Sequence, residues 1–107
     1  MNTESPAEAI TLKDAVQYAQ GSVVSKTLLK KETGNITLFA FDAGQGLSEH
    51  TAPFDAVVQI IDGQGELTIG GKPLQVSEGQ MVVMPANVPH AVKAGHPFKM
   101  LLTMIRG

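Results

Sequence analysis

The sequence contains no cysteine. Disulfide staples, thiolate nucleophiles and cysteine-ligated zinc are therefore excluded. Charge is sparse: Asp, Glu, Lys and Arg make up 17% of the 107 residues, and the net charge is -2. The basic cluster Lys30-Lys31 stands alone, so the positive field that holds a nucleic-acid backbone is missing. No apolar run approaches the roughly 20 residues of a membrane span. Met1 to Pro6 is polar and carries Glu4, unlike a secretory signal, so a cytoplasmic location is expected. Low-complexity stretches and linkers are lacking after residue 10. No long helical pattern alternates with the extended segments, which argues against a parallel α/β sheet.

What is present is an ordinary globular composition, 43% hydrophobic. One domain over 1–107 is expected, with an N-terminal segment (1–21) and a barrel (22–107). A chain of this size buries roughly two thirds of its unfolded surface and needs no cross-link. Leu12, Ala15, Val16 and Ala19 fall at helical spacing. Thr11 can cap, Asp14 follows three residues later, and Gly21 can close the end. A short helix of about two turns is predicted over Thr11–Gln20.

After Gly21 the pattern is β. Strands are predicted at Ser22–Lys30, Asn35–Asp42, Asp55–Ile61, Glu66–Ile69, Leu74–Val76, Met81–Met84, Ala91–Lys93 and Phe98–Ile105. Thr33-Gly34-Asn35, Asp62-Gly63-Gln64-Gly65, Gly70-Gly71 and Ala94-Gly95-His96-Pro97 supply the turns. Short, regular spacing of this kind indicates an all-β sandwich or barrel. Two segments are apolar on both faces: Val57 to Ile61, broken by Gln59, and Met100 to Ile105, broken by Thr103. A half-exposed strand has one polar face. The second apolar face needs cover from the N-terminal segment or another subunit, so a homodimer is expected.

The stretch Gly44-Gln45-Gly46-Leu47-Ser48-Glu49-His50, continuing through Thr51 to Gly63, resembles the first sequence motif of the cupin superfamily. Gly44, His50 and Gly63 fall into its frame. Gly79, Pro85 and His90 fit the spacing of the second motif. The resemblance runs over about residues 36–105, and it implies an all-β fold, a small antiparallel jelly-roll β-barrel, often dimeric. In members with the full motifs, three histidines and a glutamate hold a divalent metal. Here Ala52 replaces the second histidine and Ala56 the glutamate. Asn87 stands for a glycine and Ala94 for an asparagine. Asparagine tolerates a left-handed turn, whereas alanine supplies no donor.

His50 and His90 are thus the candidate site, and the resemblance places both inside the barrel. Two imidazoles can anchor a carboxylate or carbonyl ligand, or with waters retain a divalent transition metal weakly. No tightly bound cofactor is expected. Asp55 is a candidate third metal ligand and Gln59 a candidate ligand contact. In an unbroken strand both point away from the barrel interior, and a β-bulge near Pro53 would bring them in. The apolar face Ala56, Val58 and Ile60 favours the unbroken strand. Met84, directly before Pro85, is a candidate for the pocket mouth. Met81, Met84, Met100 and Met104 all read most simply as core fillers. Glu49 faces away from its neighbour His50, and His96 lies in a turn without motif context. Gly63-Gln64-Gly65 is followed by a strand and is no phosphate loop.

The leading expectation is a small-molecule-binding barrel anchored by His50 and His90. A metal-dependent dioxygenase or isomerase using His50, His90 and Asp55 is the alternative. A structural or regulatory dimer without a specific ligand is the third. Fold alone does not decide among them.

Overall fold

The computed structural model describes residues 7–106. The polar stretch Met1–Pro6 lies outside them. Nine strands occur among the described residues: β1 (Val23–Lys31), β2 (Gly34–Phe41), β3 (Gly46–His50), β4 (Asp55–Asp62), β5 (Gln64–Ile69), β6 (Lys72–Ser77), β7 (Met81–Met84), β8 (His90–Lys93) and β9 (Phe98–Ile105). They form two antiparallel sheets, ordered β1-β2-β9-β4-β7 and β3-β8-β5-β6. The Gly70-Gly71 turn between β5 and β6 has φ of 59° and 80°. That left-handed pair is the two-residue hairpin turn matching strand twist, and it pairs Ile69 with Lys72. Eight of these strands coincide with predicted ones to within two residues at either end. β3 was not anticipated: Gly-Leu-Ser-Glu-His has one large apolar side chain, and its pairing to β8 makes it a strand.

Cross-strand partners share a face, so the register assigns each side chain. From β9, Phe98, Met100, Leu102 and Met104 enter the main core, where β4 adds Ala56, Val58 and Ile60. Phe41 and Phe98 stack with centroids 4.8 Å apart. Buried Gly65 lets the opposite sheet approach, because a Cβ there would lie 2.6 Å from the Phe98 ring. No helix among the described residues is long and apolar enough to cross a membrane.

The helix predicted over Thr11–Gln20 is reduced to a single 3-10 turn, Leu12–Asp14, and the Thr11 side chain makes no capping bond. A segment this short cannot recover the cost of helix nucleation. It lies instead as a strap on the outer face of the five-stranded sheet. Val16 is buried there with Leu38 and Ala40, flanked by Leu12, Ala15, Ile61 and Leu101. Gly21, at φ 67°, turns the strap into β1 while its N–H donates to Asp42.

Polar contacts fasten the strap. Tyr18 Oη donates to Asp62 Oδ2 at 2.6 Å. Lys13 Nζ lies 3.5 Å from both Asp62 and Glu78. Buried Lys99 donates to the Lys13 carbonyl and sits 4.9 Å from the Tyr18 ring centroid. The Tyr18 hydrogen bond, with help from Lys13, holds the Asp62 carboxyl below its ordinary range. Burial and then Asp62 push the Tyr18 hydroxyl upward.

Two outcomes follow from this packing. Gly65→Ala is expected to destabilise the fold by about 1–3 kcal/mol through overpacking on Phe98, and an unchanged denaturant midpoint would contradict it. The Asp62 contribution is complete above the ordinary aspartate pKa of about 3.9 and is lost as pH falls through the lowered folded-state value. Tyr18 is the protein's one tyrosine and tryptophan is absent, so intrinsic fluorescence reports the strap. A change in that signal between about pH 5 and pH 2 is expected, brought on by Asp62 protonation and absent in Asp62→Asn. Identical titrations of the two proteins would refute the assignment.

Candidate functional site

His50 ends β3, the edge strand beside β8. Leu47 pairs with Val92, and the next registered pair is His50 with His90. Three steps along β3 therefore match two along β8, which is a β-bulge. Simple alternation would put His50 on the face opposite Leu47. The extra residue returns it to the face that carries Leu47, His90 and Val92.

The two rings meet edge to face, with centroids 4.3 Å apart and Nε2 atoms 3.1 Å apart. His90 is 8% exposed, whereas His50 is open to solvent. His50 Nδ1 lies 2.7 Å from the Ser48 carbonyl oxygen, and His90 Nδ1 lies 3.2 Å from that of Val88. A carbonyl oxygen only accepts, so each Nδ1 carries the proton. In neutral rings this leaves a lone pair on both Nε2 atoms across the 3.1 Å gap. A proton or another electrophile between them removes the conflict. Asn87 takes the left-handed conformation at φ 66°, standing where the cupin motif has glycine. Its N–H donates to the Ala52 carbonyl at 2.7 Å, tying the loop before His90 to the chain just after His50.

The other predicted residues separate into two groups. Met84 is 4% exposed, faces the core, and is the cross-strand partner of Ala56. Met104 is the partner of Ala56 on the other side and packs against the core as expected, whereas Met81, also expected there, is 54% exposed. Asp55 and Gln59 are not brought to the imidazoles. β4 runs in continuous register from Asp55 to Ile60, with its irregularity only beyond Ile60. Both side chains therefore lie on the outer face. Asp55 Oδ1 accepts the Ala86 N–H at 2.8 Å. Gln59 lines a groove of about 610 Å³ with Leu12, Lys13, Ile61, Glu78 and Met81, on the strap side of the sheet. Among the described residues no three His, Asp or Glu side chains converge. The donor set does not make the metal cage of the complete motifs, because Ala56 is buried without a donor where a glutamate would stand. Glu49 and His96 are exposed.

A family model described as a cupin domain matches residues 37–105. The chain is similar to a conserved protein of unknown function from Streptococcus pyogenes, at 38% identity and TM-score 0.92, covering 99% of this chain and 93% of that one. It is also similar to a Cupin 2 conserved barrel domain protein from Leptotrichia buccalis. There the identity is 41% and the TM-score 0.88, over 91% of this chain and 47% of that one. An uncharacterized protein from Streptomyces coelicolor is 32% identical over 62 residues, 58% of this chain and 59% of that protein. The chain thus matches about half to three fifths of the last two proteins.

Restoring the missing donors tests the register. Ala52→His with Ala56→Glu is expected to raise zinc or nickel affinity by more than the roughly 10–100-fold typical of outer-shell changes. Titration calorimetry of the double variant measures it, and affinity equal to that of the starting protein would show that these positions do not face His50 and His90.

Proposed function

Because this chain belongs to the cupin family, we propose that it is a small-molecule-binding barrel whose paired imidazoles, His50 and His90, anchor an anionic oxygen such as a carboxylate. The observation that supports this reading is the 3.1 Å approach of two Nε2 atoms whose Nδ1 partners are both committed to backbone carbonyls. With a proton between them the pair is cationic. No acidic side chain forms a cluster with the two rings among the described residues, so the protein does not neutralise that charge itself. A carboxylate beside the shared Nε2–H does, by accepting a charge-assisted hydrogen bond from it. Met84, Ala56 and Met104 face inward and are apolar and uncharged, which suits the rest of such a ligand.

The dioxygenase or isomerase reading needs a third ligand, and Asp55 is held on the other face of the sheet. The expected homodimer is part of the proposal as well.

A thermal-shift panel of small mono- and dicarboxylates tests the binding. At a concentration of 100 times Kd, a ligand is expected to stabilise by about 2.7 kcal/mol, with the shift lost in His50→Ala and His90→Ala. Equal shifts in the wild-type protein and both variants would contradict the proposal, as would no shift with any carboxylate.

A further inference from the structure

Antiparallel pairing uses the backbone groups of alternate residues on each strand, and an edge strand leaves the others pointing outward. β7 is the edge beside β4 in the five-stranded sheet. The Ile60 N–H donates to the Gln80 carbonyl at 3.0 Å, so Gln80 directs its carbonyl at β4. Alternation carries that direction to Val82 and Met84, opposite Val58 and Ala56. Met81 and Val83 therefore turn their N–H and C=O groups away from β4. Neither residue enters a turn, loop or cap hydrogen bond among the described residues. Their side chains are 54% and 52% exposed, so unpaired backbone lies beside open apolar surface.

The other edges are blunted. β1 carries Lys26, Lys30 and Lys31 and a register shift between Thr27 and Leu29. β6 opens with Lys72-Pro73. β3 holds Glu49 and the bulge before His50. Charges, prolines and bulges of this kind keep an edge from pairing. β7, Met-Val-Val-Met, has none of them and pairs with β4 in unbroken register.

We infer that the β7 edge is a docking site for an extended segment of another protein, which adds to the sheet as a further antiparallel strand. The edge dictates the chemistry of that segment. Cross-strand partners share a face, so its residues opposite Met81 and Val83 lie on the outer face and are apolar. The one opposite Met81 borders the groove of about 610 Å³ that Met81 lines with Gln59, Ile61 and Glu78. Two exposed carboxylates bracket the edge. Glu78 precedes β7, and Asp55 accepts the Ala86 N–H just beyond it. Lys13 lies 3.5 Å from Glu78 but is shared with Asp62. A segment with a basic residue on either side of two alternate apolar residues complements this pattern.

A second copy fits the edge less well. The register that uses both residues sets Met81 against Val83 of the copy, and therefore Glu78 against Ala86, where Asp55 is held. Like charges then meet at both ends, which disfavours self-pairing. The free groups also point within the plane of the sheet. Neither a carboxylate at the imidazoles nor a copy packed on the sheet's outer face uses them.

Fluorescence anisotropy on the full chain reads the docking, with a fluorescein-labelled peptide Lys-Thr-Val-Thr-Val-Thr-Lys as the probe. Saturable binding is expected, weakened about tenfold when both valine nitrogens are methylated, since each methyl removes a backbone donor aimed at β7. Val83→Pro removes an N–H that β4 does not use, a place where an edge strand tolerates proline, and is expected to weaken the peptide by a similar factor. Glu78→Lys is expected to weaken the lysine-flanked peptide and to favour a glutamate-flanked one. In hydrogen exchange the Met81 and Val83 amides are expected to slow when the peptide is added. The methylated peptide leaves the protein unaltered, so the comparison stands even where a variant fails to fold. Absence of saturable binding, or equal binding of the methylated peptide, overturns the docking site. An unchanged charge preference in Glu78→Lys overturns the basic character assigned to the partner. Met81 and Val83 amides that are already slow without peptide, and quicken on dilution, show a second copy on the edge and overturn the assignment to another protein.

Discussion

Side-chain alternation along a strand is the constraint on which the remaining features depend. Once β9 lies between β2 and β4, its register divides Phe98 to Ile105 into four inward residues and four outward ones. The inward four complete the core, and the outward four lie on the face that carries the strap. The same parity holds Asp55 and Gln59 outside the barrel. One extra residue in β3 reverses parity locally, and that reversal sets His50 against His90.

The strap and the imidazole pair sit on opposite sides of the five-stranded sheet's plane of hydrogen bonds. The strap is held by a charged network of Lys13, Asp62, Glu78 and Lys99 closed by Tyr18. Among the described residues the imidazoles have no such side-chain partners and are oriented by backbone carbonyls. A network rich in side-chain partners satisfies itself. A pair whose outer nitrogens are fixed and whose inner nitrogens converge keeps two acceptors facing each other, and the proposed ligand reading rests on that feature.

Much of this architecture was legible in the sequence because glycine and alternation punctuate it clearly. Gly70-Gly71 marked a hairpin, and Ala56, Val58 and Ile60 marked the inner face of β4. His50 and His90 emerged from the cupin motif frame. The failures have physical causes. Leu12, Ala15, Val16 and Ala19 have helical spacing, yet the energy is better served by laying Val16 on Leu38 and carrying Tyr18 to Asp62. β3 carries almost no apolar pattern, since an edge strand with a bulge is specified by its neighbour rather than by its own residues. Met81, read as a core filler, is 54% exposed because its cross-strand partner is outward-facing Gln59, a property of register that no single strand reveals.

The central claim is that both imidazoles present Nε2 to each other and to a ligand. Long-range ¹H–¹⁵N correlation spectra of the histidine side chains test it most directly. The account predicts a proton on Nδ1 of both His50 and His90, with the two Nε2 resonances moving together when a bound carboxylate is added. An unprotonated Nδ1 in either ring, or a ligand-bound state in which neither Nε2 resonance moves, would contradict it.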